Sequence, residues 1–431
     1  MKILVIGSGG REHAIVWKLS KSGSRVELFC APGNAGIGQL AKCFPTGADD
    51  VGALAALACE LGIDLTVVGP EVPLVKGIVN QFKGKGLRIV GPTEAAARVE
   101  GSKVFAKHFM RRHRIPTARF VVCDSPESAR AELNRNFALP IVVKADGLAA
   151  GKGVRIALDQ ADFENALEEM MVRRVFGEAG ARVVLEEFLP GQEASLMLFT
   201  DGRDYRLLAP ARDYKRVDTG DRGPNTGGMG SFSTPGLLSP EQTASICREI
   251  VDPTLEGLNQ EGTPFRGILY IGLMLTKDGP CVVEYNARLG DPETQSVLVR
   301  LESDLAGIFD SIAGGSIGGT EVEWSADSSV CVVAASGGYP GSFERGKAIA
   351  GLDEASRVEG VSVFHAGTSV VDGDISTAGG RVLGVTARAQ ALEDARARAY
   401  EAMRKISFDR IHYRTDIAQR ASGGQADESQ G

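Results

Sequence analysis

Residues 3–13 read ILVIGSGGREH. The apolar run Ile3–Ile6 is continuous, as in a strand buried on both faces. Gly7-Ser8-Gly9-Gly10 breaks it, and a helical stretch follows from Glu12 to about Ser22. Strand, glycine turn and helix form the first unit of a doubly wound parallel sheet. The same alternation continues outward. Val26–Cys30 ends in Ala31-Pro32-Gly33-Asn34, Leu65–Val68 in Gly69-Pro70-Glu71, and Leu87–Val90 in Gly91-Pro92. The loops after such strands line the ligand crevice of the sheet. The fold class is read as α/β, with a doubly wound parallel sheet at the N-terminus.

The opening stretch also restricts the ligand. A dinucleotide fingerprint needs G-x-G-x-x-G, and Glu12 stands at the third glycine position. The next strand ends in Phe29-Cys30 and not in the acidic residue that would hold a ribose. A nicotinamide or flavin dehydrogenase is therefore disfavoured. Gly9 and Gly10 still allow backbone amides to approach an anion at a helix start, with Arg11 adding charge. The bland alternative is a tight turn between strand and helix.

A chain of 431 residues has room for two to four domains. Its net charge of −7 argues against nonspecific binding to nucleic acid or to an anionic membrane. No apolar run is long enough to span a bilayer, and the run before Gly7 is too short for a signal peptide. The seven cysteines form no C-x-x-C pair and are odd in number, which fits free thiols in a reducing compartment. A cytoplasmic protein is expected. Residues 421–431, ASGGQADESQG, read as a disordered tail.

Five further stretches carry chemistry. KADGLAAGKGV (144–154) joins two strands and lacks the P-loop order, since Val154 follows Gly153. Its small residues and Lys152 suit a hairpin that closes over a triphosphate, beside the fixed charge of Lys144. LEEFLPGQE (185–193) ends a strand with Glu186 and Glu187, and then offers Phe188, Leu189 and Glu193. Main-chain groups there suit an adenine, and a later carboxylate suits ribose hydroxyls. RDYKR (212–216) and DRGPNTGGMG (221–230) are basic and glycine-rich. Asn225, Thr226, Gly227 and Gly228 are placed to present amides to a phosphate. In VEYNARLGDPETQ (283–295), Glu284 and Asn286 share one strand face. Their oxygens suit Mg²⁺ held mainly by nucleotide phosphates. Arg288 follows on that face, where it would neutralise a transferred phosphoryl group. Asp291-Pro292-Glu293 reads as a helix cap with proline in the first turn. No zinc spacing and no nucleophile–histidine–acid arrangement is present.

These stretches, in this order, resemble the ATP-grasp superfamily. Within it they are similar to the glycinamide ribonucleotide synthetases (phosphoribosylamine–glycine ligases) of purine synthesis, from Met1 to about Arg420. The carrying motifs are GSGGREHA, APGNAG, VGPEVPLVKG, KADGLAAGKGV, LEEFLPGQEAS, GPNTGGMG, EYNARLGDPETQ, SGGYPG and HAGT. The resemblance implies a biotin-carboxylase-like N-domain (1–102), an ATP-grasp domain (103–325) with a mobile lid at about 117–193, and a small α+β C-terminal domain (326–420). It implies ATP at Lys103, Lys144, Gly147, Gly151, Lys152, Gly153, Glu186, Glu187, Phe188, Leu189 and Glu193, and Mg²⁺ or Mn²⁺ on Glu284 and Asn286. Catalytic roles fall to Arg288, Lys144 and Asp213. Substrate contacts fall to Gly9, Gly10, Arg11, Asn34, Pro70, Glu71, Asp213, Lys215, Arg216, Asn225, Thr226, Gly227, Gly228, Asp291, Glu293 and Thr294. The implied substrates are glycine, 5-phosphoribosylamine and ATP, joined through a glycyl phosphate, in a chain expected to be a monomer. There are departures: the strand Ile268–Leu275 lacks the extra acid that many ATP-grasp enzymes carry, and Tyr214 and Arg222 are atypical within their loops. The alternatives are another ATP-grasp carboxylate–amine ligase of nucleotide synthesis and an ATP-binding regulatory module.

Overall fold

The computed structural model describes residues 1–23, 25–149 and 151–419. The tail expected at 421–431 lies outside the described residues. Five parallel strands open the chain: β1 (Lys2–Gly7), β2 (Glu27–Pro32), β3 (Lys42–Cys43), β4 (Leu65–Val68) and β5 (Ile89–Val90). Their order is β3-β2-β1-β4-β5, a doubly wound sheet as expected. Its centre is β1, where Ile3, Leu4, Val5 and Ile6 are wholly buried. The winding reverses between β1 and β4, so the loops 7–10 and 69–71 face each other across the crevice.

Glu12 explains why those loops need glycine. A Cβ at Gly69 would lie 2.1 Å from Glu12 Oε1, and one at Gly7 would lie 2.5 Å from Glu12 Cγ. The Glu12 carboxylate also accepts the Gly9 amide at 2.6 Å. The residue that breaks the dinucleotide fingerprint thus fills the space the glycines leave.

Two antiparallel four-stranded sheets follow. One runs Phe120–Cys123, Val183–Glu187, Ile141–Ala145, Val154–Ala157 in space. Lys144 pairs with Val154, so the glycine-rich stretch between them is a hairpin loop, as its position between two strands predicts. The other runs Tyr205–Leu207, Gln192–Thr200, Gly267–Thr276, Gly279–Asn286. A five-stranded sheet closes the fold in the order Arg212–Asp213, Gly230–Ser233, Ser328–Ala335, Arg381–Ala389, Val361–His365. Its first two strands come from the middle of the chain. The stretch 214–229 is therefore fastened to the C-terminal sheet and lies beside the central one. Helix Leu392–Met403 covers that C-terminal sheet with Ala395, Ala399, Ala402 and Met403, all wholly buried.

Candidate active site

The end of strand Gly279–Asn286 positions the polar side chains of the centre. Val282 and Tyr285 are buried, while Glu284 and Asn286 are only half-buried and face out, as does Arg288 beyond the strand. Gly272 pairs with Glu284, and a Cβ there would come within 3.0 Å of Glu284 Cγ. Arg288 donates to Glu100 at 2.8 Å, to Glu71 at 3.3 Å and to Asn286 Oδ1 at 3.4 Å. Burial disfavours its charge, but Glu100 and Glu71 hold it protonated. The Glu284 carboxylate has no hydrogen-bond or ion-pair partner among the described residues. A partnerless carboxylate beside an amide oxygen is a donor set that fits a divalent cation completed by phosphate oxygens. Among the described residues no cluster of three or more His, Cys, Asp or Glu could hold a metal by itself.

On one side of this strand lies a lysine cluster. Lys144 Nζ donates to Glu186 Oε2 at 3.0 Å and to the Val283 carbonyl at 3.0 Å. Lys107 Nζ reaches the same Glu186 oxygen at 2.7 Å. Lys103 donates to the Gly147 carbonyl of the hairpin loop at 2.9 Å. Burial lowers the Lys103 pKa against the pull of Glu284. Burial pushes Glu186 up, yet Lys144 and Lys107 bring it below the ordinary carboxylate range. Phe188 is exposed and Leu189 half-buried just after this strand, an open apolar ledge. Glu187 accepts the Arg119 amide at 2.7 Å.

On the other side, Lys215 joins Glu193 at 2.8 Å and Asp213 at 3.0 Å. Burial, with Glu293 and Glu193 nearby, pushes Asp213 up to about 7, against Lys215. Asp213 and Glu193 together hold Lys215 well above its ordinary value despite burial. Glu293 is buried and accepts from Ser195 at 3.2 Å.

Comparison with known proteins fits this geometry. The family description "phosphoribosylglycinamide synthetase" matches in three parts: the N domain over residues 1–100, the ATP-grasp domain over 101–294 and the C domain over 329–420. The chain belongs to the phosphoribosylglycinamide synthetase family. It is 47% identical over 418 residues to a phosphoribosylamine–glycine ligase of Caldanaerobacter subterraneus, covering 97% of this chain and 99% of that one. It is 46% identical to the ligase of that name from Pseudomonas aeruginosa, covering 100% of both. The crystal structure of the Thermotoga maritima phosphoribosylamine–glycine ligase superposes with a TM-score of 0.82 at 37% identity, covering 96% of this chain and 100% of that one. Biotin carboxylase from Campylobacter jejuni shares the fold at TM-score 0.70 and 15% identity, over 96% of this chain and 92% of that one.

Several residues expected to bind substrate in this family member are engaged elsewhere. The loop 225–228 does not offer a row of open amides. Thr226 N donates to the Lys215 carbonyl at 2.8 Å, Gly227 N to the Tyr339 hydroxyl at 3.0 Å, and Gly228 N to Thr226 Oγ1 at 2.9 Å. Asp291 does not cap a helix: the helix is Glu293–Leu298 and Asp291 pairs with Arg381 at 2.8 Å. Its other oxygen accepts from Gln295 at 2.8 Å. Thr294 is wholly buried and its hydroxyl binds the Gly290 carbonyl. Asn34 donates to the Ser8 and His365 carbonyls, each at 2.8 Å, and accepts from Gly36 and Ile37. Arg11 is buried, paired with Glu12 at 2.5 Å and bonded to the Leu289 carbonyl at 3.2 Å. Arg216 closes its own hairpin on the Gly223 carbonyl at 2.7 Å. In each case the side chain or amide already has its partner within the protein.

Four residues escaped the sequence reading. Lys107 lies one turn after Lys103, so helical spacing was the available signal. Glu100 accepts the Ala287 amide at 2.6 Å and steadies Arg288. Arg381 donates to the Gly227 carbonyl at 2.6 Å and to the Asp291 carbonyl at 2.8 Å. Tyr339 holds Gly227, and beside it Lys152 donates to the Pro340 carbonyl at 3.0 Å. No local pattern marks Glu100 or Arg381, and the SGGYPG motif that holds Tyr339 gives no sign that it meets Gly227.

Proposed function

We propose residue roles for an ATP-dependent ligase that joins glycine to 5-phosphoribosylamine in purine biosynthesis, giving glycinamide ribonucleotide, ADP and phosphate. The observation that carries them is the placement of Arg288. Its guanidinium touches Asn286 on the metal-ligand face and Glu71 on the N-domain crevice loop, so nucleotide side and sugar side meet at one cation.

A glycine carboxylate is a poor electrophile. Its oxygen attacks the γ-phosphorus of ATP, the bond to the bridging oxygen breaks, and ADP leaves. Arg288 and Lys144 neutralise the charge on the transferred group. The ribosyl amine then attacks the carbonyl of the glycyl phosphate, the C–O bond to phosphate breaks, and the amine's proton passes to Asp213. A carboxyl pushed up to about 7 is suited to that exchange near neutral pH. Glu284 and Asn286 would hold Mg²⁺ or Mn²⁺, which when bound screens the triphosphate charge. The 146–153 loop covers the phosphates, with Gly147, Gly151, Lys152 and Gly153 shaping it. Phe188 and Leu189 meet the adenine face, and Glu193 meets the ribose. Glu71, Pro70 and the Gly9–Gly10 turn hold the phosphoribosyl group. Gly9 gives its amide to Glu12, so the next helix-start amides, of Gly10 and Arg11, are the donors that remain for its phosphate.

Among the described residues no helix is long and apolar enough to cross a membrane. An ADP-release assay tests the reading. ADP should form only when glycine and phosphoribosylamine are both present, and glycine alone should scramble isotope between the bridging and non-bridging oxygens of the β-phosphate. Equal ADP release without glycine would sink it.

A further inference from the structure

Glu186 is a single carboxylate facing two lysines. It is 3% exposed, and Lys144 and Lys107 both approach its Oε2, at 3.0 and 2.7 Å. Its Oε1 is buried with no partner among the described residues. One pairing is enough to balance one carboxylate charge, so the second cation calls for a reason. The two lysines are not equivalent. Lys144 is on a strand of the lid sheet and its second bond, to the Val283 carbonyl, is beside Glu284. Lys107 is on the helix Lys103–Arg112 and its second bond, at 2.8 Å, is to Thr117 Oγ1. Thr117 in turn donates to the Val282 carbonyl at 2.7 Å. Lys107 is thus tied to the body of the domain, away from the half-exposed face of Glu284. Its side chain is 2% exposed.

Consider what happens when a triphosphate arrives. To contact a phosphate, Lys144 must give up some of its hold on Glu186. A carboxylate left buried without a cation is costly, commonly by several kcal/mol. That cost would be charged against nucleotide binding if Lys144 were the sole partner of Glu186. With Lys107 in place, Glu186 keeps a bonded cation throughout. Burial lowers the Lys107 pKa to about 8, and Glu186 is the main influence opposing it. We propose that Lys107 is a positioning residue that holds the charge of Glu186 so that Lys144 is released to the nucleotide phosphates. It touches neither the reacting atoms nor the phosphates. The proposal rests on the phosphate role of Lys144 given above.

The test uses the full-length enzyme. Lys107→Gln keeps a hydrogen-bonding side chain of similar reach and removes the charge. It should raise KM for ATP about tenfold or more, while KM for glycine and for phosphoribosylamine stays within twofold. Lys107→Gln combined with Glu186→Gln removes the captured charge as well, and should lower KM for ATP at least threefold relative to Lys107→Gln alone. A Lys107→Gln enzyme with parental KM for ATP overturns the proposal. So does a double variant no better than the single one, because Lys107 would then act only as a brace. Should Lys107→Gln fail to fold, Glu186→Gln alone decides. With its carboxylate gone, Lys144 is unheld, and inhibition by inorganic triphosphate should tighten at least threefold; unchanged or weaker inhibition overturns the proposal. Lys144→Met separates the two levels. If it leaves KM for ATP unchanged, the phosphate role of Lys144 fails. If it raises KM and Lys107→Gln does not, only the role of Lys107 fails.

Discussion

The strand end 284–288 and the loop 225–228 both looked like ligand sites in the sequence, and they differ in one physical respect. At the strand end, Glu284 is half-buried and has no partner among the described residues. In the loop, three consecutive amides each have an acceptor, and Arg381 takes up the Gly227 carbonyl. Folding satisfies buried polar groups almost without exception. A polar group that faces a crevice unsatisfied is therefore the more informative one, while a satisfied group has to exchange a partner within the protein before it can meet a ligand. The loop still matters, because it carries Lys215 on one flank and is pinned to the C-terminal sheet on the other. Its amides brace the loop through partners within the protein.

The largest test of that contrast is Glu284→Gln. Turnover should fall on the order of 10²–10³-fold, the scale for losing one group that governs transition-state charge. The fold should persist, since no ion pair is broken, and the melting temperature should stay within a few degrees of the parent. Asn286→Ala should fall less steeply in the same assay. Near-parental turnover at low Mg²⁺ in both variants would remove the strand end from the chemistry.

Asp291→Ala probes the opposite region. It leaves Arg381 beside Gly227 and Gly228 without its carboxylate. Removing one partner of a partly buried pair should cost about 2–3 kcal/mol of stability, discounted for the exposure of both side chains. The cost should appear in denaturant unfolding, with KM for ATP little changed. An unchanged unfolding midpoint would mean that Arg381 is not the clamp on this loop.

How much of this was legible beforehand depends on range. The strand–loop–helix alternation of residues 3–92 predicted the N-terminal sheet, because burial on both faces leaves continuous apolar runs. Glu284 and Asn286 were legible because a period of two puts them on one strand face, and Arg288, just beyond the strand, still reaches Asn286. The 225–228 loop reads as an amide cradle, and its amides have partners within the protein for a physical reason. Glycine and asparagine show that a backbone is free to turn, but not whether its amides have acceptors. That answer lies in Tyr339, 112 residues away. Arg381 and Glu100 were invisible on the same grounds: a single charged residue in an ordinary strand or helix gives no local sign that it meets Asp291 or Arg288.

Asp213 offers a pH test of the side of the site where partners are incomplete. Its pKa of about 7 lies above the ordinary 3.8, chiefly through burial. A carboxyl with a raised folded pKa binds its proton more tightly in the folded chain. Between those two values the folded state holds more protons, so the stability this group contributes is full below 3.8 and is lost as pH rises through about 7. Asp213→Asn removes that titration. Relative to the parent, the variant should gain stability from pH 5 to about pH 7 in denaturant unfolding and level off above that. The gain is held down by Lys215, which loses one of its two carboxylates in the variant. A difference that stays flat or shrinks across the range would show that Lys215 keeps Asp213 ionised throughout.

The smallest expected effect is the one that separates brace from binding site most cleanly. Thr226 is buried; its hydroxyl donates to the Lys215 carbonyl at 2.8 Å and accepts from Gly228 at 2.9 Å. Thr226→Val keeps the shape and removes both bonds. The Lys215 carbonyl still receives the Thr226 amide, so the main loss is one unsatisfied Gly228 amide. That should cost about 1 kcal/mol of stability. Catalysis should be nearly unaffected, with kcat/KM for glycine and for phosphoribosylamine within threefold of the parent. If the loop instead bound a substrate phosphate through these amides, disordering Gly228 would raise KM for that substrate by far more than stability falls. A tenfold rise in either KM with an unchanged melting temperature would therefore restore the loop to the binding surface, and the contrast with the strand end would not stand.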